Sequence, residues 1–270
     1  MSGWVNGVDD RTADLIGEVT RAVVALDPGG LLGLYLYGSA TQGGLTPSSD
    51  IDLLVVSRRS LTEAERAELV AILLPRSGWR GHKETFPEAV GKAPLEVTVI
   101  VVGPELPSPV HGCIDFQFGE WLRKDLVTGW LPAPEHDPDA VVLVATALAG
   151  ATALHGPELS SLLEPVDDVT LRGAVWELVP SILDGIAGDE RNALLTLARM
   201  FVTLETGGIV GKSAAALEAS LRLASRHQLV MERARQEYLT GASSEWVLAE
   251  AEGTAQAIVE LAQSARSRQP

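Results

Sequence analysis

Apolar positions change their period along the chain. Between Asp9 and Leu26 they fall at Leu15, Val19, Ala22, Val23 and Leu26, a helical spacing that Pro28-Gly29-Gly30 brings to an end. The run LLGLYLYG follows and reads as a short strand ending at Gly38. Residues 40–49, ATQGGLTPSS, are small, polar and turn-forming, which predicts a loop. IDLLVV, from Ile51 to Val56, is a second strand. SRRSLTEAERAELVAILLP predicts a helix, with Thr62 and Glu65 as a capping box and Pro75 as the stop. PLEVTVIVV is a β-branched third strand. Residues 115–128 and 138–155 read as two further helices. Beyond about residue 166 only helices are expected, over 167–180, 189–206, 213–226, 228–240 and 244–266. Strands mixed with helices, then helices alone, predict two domains: an α/β domain over 1–165, with a small mixed sheet and flanking helices, and an all-α helical bundle over 166–270. The boundary is placed at the segment LLEPVDD.

Composition narrows the classes of function. With 46% hydrophobic residues in 270, the chain has enough apolar material for a real core. Its single cysteine, Cys113, has no second thiol to pair with, which fits a reducing cytosol; it reads as a small apolar residue. The N-terminus MSGWVNGVDDRT lacks the basic start and apolar run of a secretory signal. The apolar stretch Ala140–Leu154 falls short of the ~20 residues needed to span a bilayer, so a buried helix in a soluble, cytoplasmic protein is expected. A formal charge of −15 disfavours a nucleic-acid partner and suits a cationic substrate.

Candidate chemistry concentrates in LYLYGSATQGGLTPSSDIDLLVV. A strand runs into Gly38-Ser39, a ten-residue loop follows, and Asp50-Ile51-Asp52 opens a wholly apolar strand. Alternation along a strand puts Asp50 and Asp52 on one face. Two carboxylates at that spacing repel each other unless a cation lies between them. Mg²⁺ suits the place, because it binds through a few carboxylates plus substrate phosphates. Gly38 lets the backbone approach a phosphate, and Ser39 adds a hydroxyl donor. A lone DxD is common on solvated turns; the whole arrangement is far more restrictive and describes a metal–triphosphate site. Glu96, in the strand LEVTVIVV, is the candidate for a third carboxylate or a base, a charge costly to bury among Leu95, Val97 and Val99. Its alternative is a solvent-facing place on an edge strand. VGKSA around Lys212 imitates the end of a P-loop, but Thr206 stands where the first glycine is required and a helix precedes it.

The motif resembles the DNA polymerase β-like nucleotidyltransferase superfamily, which carries its third carboxylate on a later strand. More specifically, the blocks LYGSATQGGLTPSSDIDLLV, LEVTVIVV, FQFGEWLRKDLVTGWL, AGDERNALLTLARM and ARQEYLTG, in this order, resemble the aminoglycoside adenylyltransferases that modify streptomycin and spectinomycin. That resemblance implies an N-terminal nucleotidyltransferase domain and a C-terminal helical bundle, with ATP and the drug bound between them, in a monomer. It implies that Ser39 and Ser49 contact the ATP phosphates, that Asp50 and Asp52 bind Mg²⁺, and that Glu96 is the catalytic base and meets the drug. Asp139, Arg199, Lys212 and Tyr238 match ATP-contacting positions; Trp121 and Asp189 match positions lining the drug site. Read from the residues alone, Arg199 and Lys212 are surface charges, Tyr238 is a packing residue and Trp121 a core one. Asp189 and Glu190 would serve the dipole of the helix they open as readily as a drug ammonium. Members that accept streptomycin carry a Trp and an Asp just before the GDERN block; the corresponding positions here are Pro180 and Gly185, with Asp184 one residue away. Spectinomycin is therefore the expected substrate. The other readings are transfer to a different small-molecule or protein hydroxyl and a nucleotide sensor without activity. His111 and His136 lie in expected loops and receive no role.

Overall fold

A computed structural model describes residues 9–41, 44–46, 49–103 and 112–268. The chain divides into two compact units, one of Met1–Leu45 with Ser49–Pro165, the other of Thr46–Ser48 with Val166–Pro270.

The first unit is built on a five-stranded sheet of order β5-β3-β2-β1-β7, from β1 (Leu31–Tyr37), β2 (Ile51–Ser57), β3 (Leu95–Val101), β5 (Phe116–Phe118) and β7 (Thr152–His155). Only β2 and β3 are parallel; β1 runs antiparallel to β2 and β7, and β5 antiparallel to β3. Two-residue strands β4 (Cys113–Ile114) and β6 (Glu135–His136) pair separately, with half-buried Cys113 opposite His136, so His136 is in a strand rather than a loop. His111 is outside the described residues.

Alternation sorts the sheet into two faces. Leu34, Leu36, Ile51, Leu53, Val55, Leu95, Val97, Val99, Phe116 and Phe118 form one core with Ile16, Val19 and Val23 of α1 (Asp10–Leu26) and Leu69, Val70 and Leu73 of α2 (Glu63–Leu73). Asp9 caps α1 by accepting from Thr12 N–H at 2.8 Å. The expected capping box of α2 is present, Thr62 and Glu65 bonding each other's backbone N–H. Glu65 also takes two bonds from Arg59, and these, foremost, hold its carboxyl far below the usual range. Leu54, Val56, Thr98 and Ile100 are buried on the other face. There α4 (Asp139–Gly150) packs against β1 and the 3-10 turn Gly38–Ala40.

Two expected helices are shorter than their patterns. Residues 116–118 and 152–155 are strands, because they pair with the sides of β3 and β1 that β2 leaves open and so become the sheet's edges; α3 covers only Arg123–Leu126. Pairing partners, which periodicity does not register, decide such short segments.

Among the described residues the regular elements of the second unit are all helices: α5 (Asp168–Asp184), α6 (Glu190–Thr206), α7 (Lys212–Ser220), α8 (Ser225–Thr240) and α9 (Leu248–Ser267). Helix α6 is buried on most sides and packs against all four others, which is why its sequence is apolar around most of its circumference. Helix α5 does not stop at 180 but passes through exposed Pro180 and continues to Asp184. The break between α7 and α8 falls at 221–224, and α9 begins at Leu248, later than expected. Residues 244–246 are instead held as a loop by α8: Glu237 accepts from Ser244 Oγ and, at 3.2 Å, from Trp246 Nε1, while Arg233 lies over the Trp246 ring at 4.2 Å. Among the described residues no helix is long and apolar enough to cross a membrane.

His227 joins α8 to α9. The Thr254 hydroxyl donates to Glu250 O at 2.8 Å, so it accepts from His227 Nδ1 at 2.9 Å, and Nε2 accepts from Arg226 Nε at 3.0 Å. Desolvation, and then the Arg226 charge, depress the His227 pKa from its ordinary 6.5. A histidine depressed in the folded state contributes stability that is complete above its unfolded pKa and is lost as pH falls through its folded one. Between pH 7 and pH 5 the melting temperature should therefore fall more steeply for the parent than for His227→Gln. Equal slopes in thermal melts would refute this role.

Candidate active site

The sequence folds Gly38 into a left-handed conformation, φ +67°, at the point where β1 turns into a single 3-10 turn. A Cβ on Gly38 would lie 2.0 Å from Asp52 Oδ2. Glycine is thus required twice, by the backbone angle and by a carboxylate packed against the Cα. Asp52, the second residue of β2, stands opposite Tyr37 of β1 and, in the parallel ladder, beside Glu96 of β3. In-register parallel neighbours project to the same face, so the sheet brings Asp52 and Glu96 together on the side opposite α1 and α2. Both are half-buried, and β3 is an inner strand rather than an edge. Asp50 is exposed, one residue before β2 begins at Ile51. Ser39 lies in the 3-10 turn, half-buried Ser49 just ahead of Asp50, and half-buried Asp139 at the first turn of α4, the helix that packs on the 3-10 turn.

Among the described residues no three His, Cys, Asp or Glu side chains are gathered so as to hold a metal by themselves. The donor set nevertheless fits a hard cation that keeps water and phosphate oxygens in its shell: carboxylates only, beside a glycine cradle that a Cβ would fill.

Trp121 is not a core residue. It sits in the 3-10 turn Glu120–Leu122 with 57% of its surface exposed, its ring folded over Gly119, where a Cβ would meet it at 2.1 Å. Glu120 beside it is buried. Its carboxylate accepts from Ser77 Oγ at 2.5 Å and from Arg123 Nε and Nη2 at 2.7 and 3.0 Å, and His82 Nε2 stands 2.8 Å away. Burial pushes the Glu120 carboxyl up, but the bonds from Arg123 and Ser77, with the Arg123 and His82 charges, outweigh it and lower its pKa. Ser77, Glu120 and Arg123 escape sequence reasoning. The only local signal is the acid–base pair three residues apart in FGEWLRK, which looks like an ordinary surface pair.

In the helical unit, Lys212 opens α7 with Nζ 5.9 Å from the ring centroid of Tyr238, a buried residue of α8. Asp189 precedes α6. Its carboxylate accepts from Asn192 Nδ2 at 2.7 Å and makes no capping bond to the helix backbone. Desolvation raises its pKa, against the pull of Asn192, Lys212 and Arg191. Half-buried Arg199 lies further along α6.

The five-stranded mixed sheet with flanking helices is that of a nucleotidyltransferase domain. The chain matches the family described as "Nucleotidyltransferase domain" over residues 16–100 and "Aminoglycoside adenylyltransferase, C-terminal domain" over 161–264. It is 36% identical over 246 residues to a spectinomycin 9-adenylyltransferase of Staphylococcus aureus, covering 91% of each chain. It is also 36% identical over 238 residues to an aminoglycoside (3'') (9) adenylyltransferase of Klebsiella pneumoniae, covering 86% of each. A crystal structure of spectinomycin adenyltransferase AAD(9) from Enterococcus faecialis with ATP and spectinomycin superposes with a TM-score of 0.80 at 26% identity, covering 94% of this chain and 99% of that one. The chain belongs to the aminoglycoside adenylyltransferase family.

Proposed function

We propose that this enzyme transfers AMP from ATP to a hydroxyl of spectinomycin, inactivating the antibiotic. The observation that carries the reading is the in-register pair of Asp52 and Glu96 beside left-handed Gly38. The drug oxygen attacks the α-phosphorus, its P–O bond forms as the bond to the β-phosphate bridge breaks, and pyrophosphate leaves. Glu96 accepts the hydroxyl proton. Asp50 and Asp52, with Glu96 at the rim, would hold Mg²⁺, which when bound supplies positive charge against the phosphate oxygens. Gly38, Ser39 and Ser49 receive the phosphates. Asp139, Arg199, Lys212 and Tyr238 serve the nucleotide; the Lys212–Tyr238 pair presents one cation and one ring. Trp121 offers an exposed face to the drug ring, and Asp189 a charge to its ammonium groups. The enzyme works as a cytoplasmic monomer, and its charge of −15 suits a cationic drug rather than nucleic acid.

Pro180 and Gly185 stand where streptomycin-accepting members carry a Trp and an Asp, so streptomycin is a poor substrate. Sensitive bacteria expressing the protein should grow on spectinomycin and gain little on streptomycin. Absence of protection against both drugs would overturn the resistance role. Pyrophosphate release by the purified protein, with ATP and either drug, separates this outcome from transfer to another acceptor.

A further inference from the structure

The buried carboxylate of Glu120 has no place in the chemistry, yet it accepts three side-chain hydrogen bonds in the first unit's interior. It is 8% exposed and engages Ser77, Arg123 and His82. Each of these partners is itself tied down. Ser77, fully buried, donates to Glu120 and with the same Oγ accepts from Leu95 N–H at 3.0 Å. Arg123 Nη2 reaches the carbonyls of Leu74 and Ser77 at 2.9 and 2.8 Å. His82 meets the Phe86 ring edge-on, with centroids 5.2 Å apart.

The chain of contacts has two informative ends. Leu95 directly precedes Glu96, and Glu120 directly precedes exposed Trp121. A single serine hydroxyl therefore joins the start of the strand bearing the base to the turn bearing the aromatic face. A buried ionic cluster is a weak source of stability, since apolar residues of similar volume often serve as well or better. What it supplies that apolar packing does not is direction, because a charged hydrogen bond fixes both distance and angle.

We propose that Glu120 is a positioning residue: acting through Ser77, it sets Trp121 against Glu96 and so registers the acceptor ring to the base. This rests on the reading of Trp121 as a drug contact. Glu120→Gln keeps the volume and weakens the network. Ser77→Ala keeps the Glu120–Arg123 pair and removes the hydroxyl that links Glu120 to Leu95, a second and independent break of the same chain that guards against a result due to misfolding. Both variants should raise the KM for spectinomycin about tenfold, the scale of one lost bond to a charged group, and leave the KM for ATP within about twofold.

A double-mutant cycle with Trp121→Ala distinguishes positioning from general loosening. If Glu120 acts through Trp121, adding Glu120→Gln to Trp121→Ala should change the drug KM little further. Multiplicative effects, an equal rise in both KM values, or parent-like kinetics in both Glu120→Gln and Ser77→Ala would overturn the positioning role. If Trp121→Ala itself leaves the drug KM unchanged, the drug-contact reading fails, and the positioning role with it.

Discussion

Glu96→Gln is expected to lower kcat on the order of 10³-fold while ATP and spectinomycin still bind, the scale set by loss of a positioned general base. The substitution is nearly isosteric, so β3 keeps its ladder to β2 and Leu95, Val97 and Val99 keep their places in the core. Only the capacity to take a proton and the negative charge beside Asp52 are removed. Titration calorimetry for each ligand and single-turnover formation of the adenylylated drug measure the two parts separately. Turnover within a few-fold of the parent would remove Glu96 from the base role. Lost ATP binding with normal drug binding would move it to the metal alone.

Gly38→Ala should be nearly as damaging through a different cause. At φ +67° an alanine costs about 1–2 kcal/mol of backbone strain. Its Cβ would also lie 2.0 Å from Asp52 Oδ2, far inside contact distance. The carboxylate must move by roughly 1 Å or more, a displacement that in an active site costs about 10²-fold in rate. Gly129→Ala is the control, because Gly129 has φ +91° but nothing within 4 Å of its ideal Cβ. It should lose a comparable few degrees of melting temperature and keep its turnover. Equal kcat in the two variants would mean that the approach of Gly38 to Asp52 is not what the reaction needs.

The candidate site is legible in the sequence where its residues are contiguous. Gly38 closes β1, Asp50 stands just ahead of β2 and Asp52 near its start, and Glu96 stands out as a charge in an apolar run. The positions of β1, β2, β3, α1 and α2 were legible for the same reason: long, regular periods with turn or capping residues at their ends. Short β5 and β7 were not, since three or four residues take their conformation from the strand they lie beside. Neither was the environment of Glu120, whose partners Ser77 and His82 are distant in sequence and look like loop residues. Trp121 shows the converse: composition favours a core tryptophan, and only its neighbours' packing leaves the ring exposed.

The parallel ladder of β2 and β3 has an evolutionary corollary. The side-chain period of a strand is two, so a slip of one residue would turn Glu96 inward and bring Leu95 or Val97 out beside Asp52. The same slip would draw Leu95, Val97 and Val99 out of the core they fill and turn the Glu96 charge into it, so the fold itself rejects it. Insertions and deletions between β2 and β3 must therefore be absorbed in the connecting segment, leaving the register of the ladder unchanged. Loop length there can drift while the distance between the two acids stays the same.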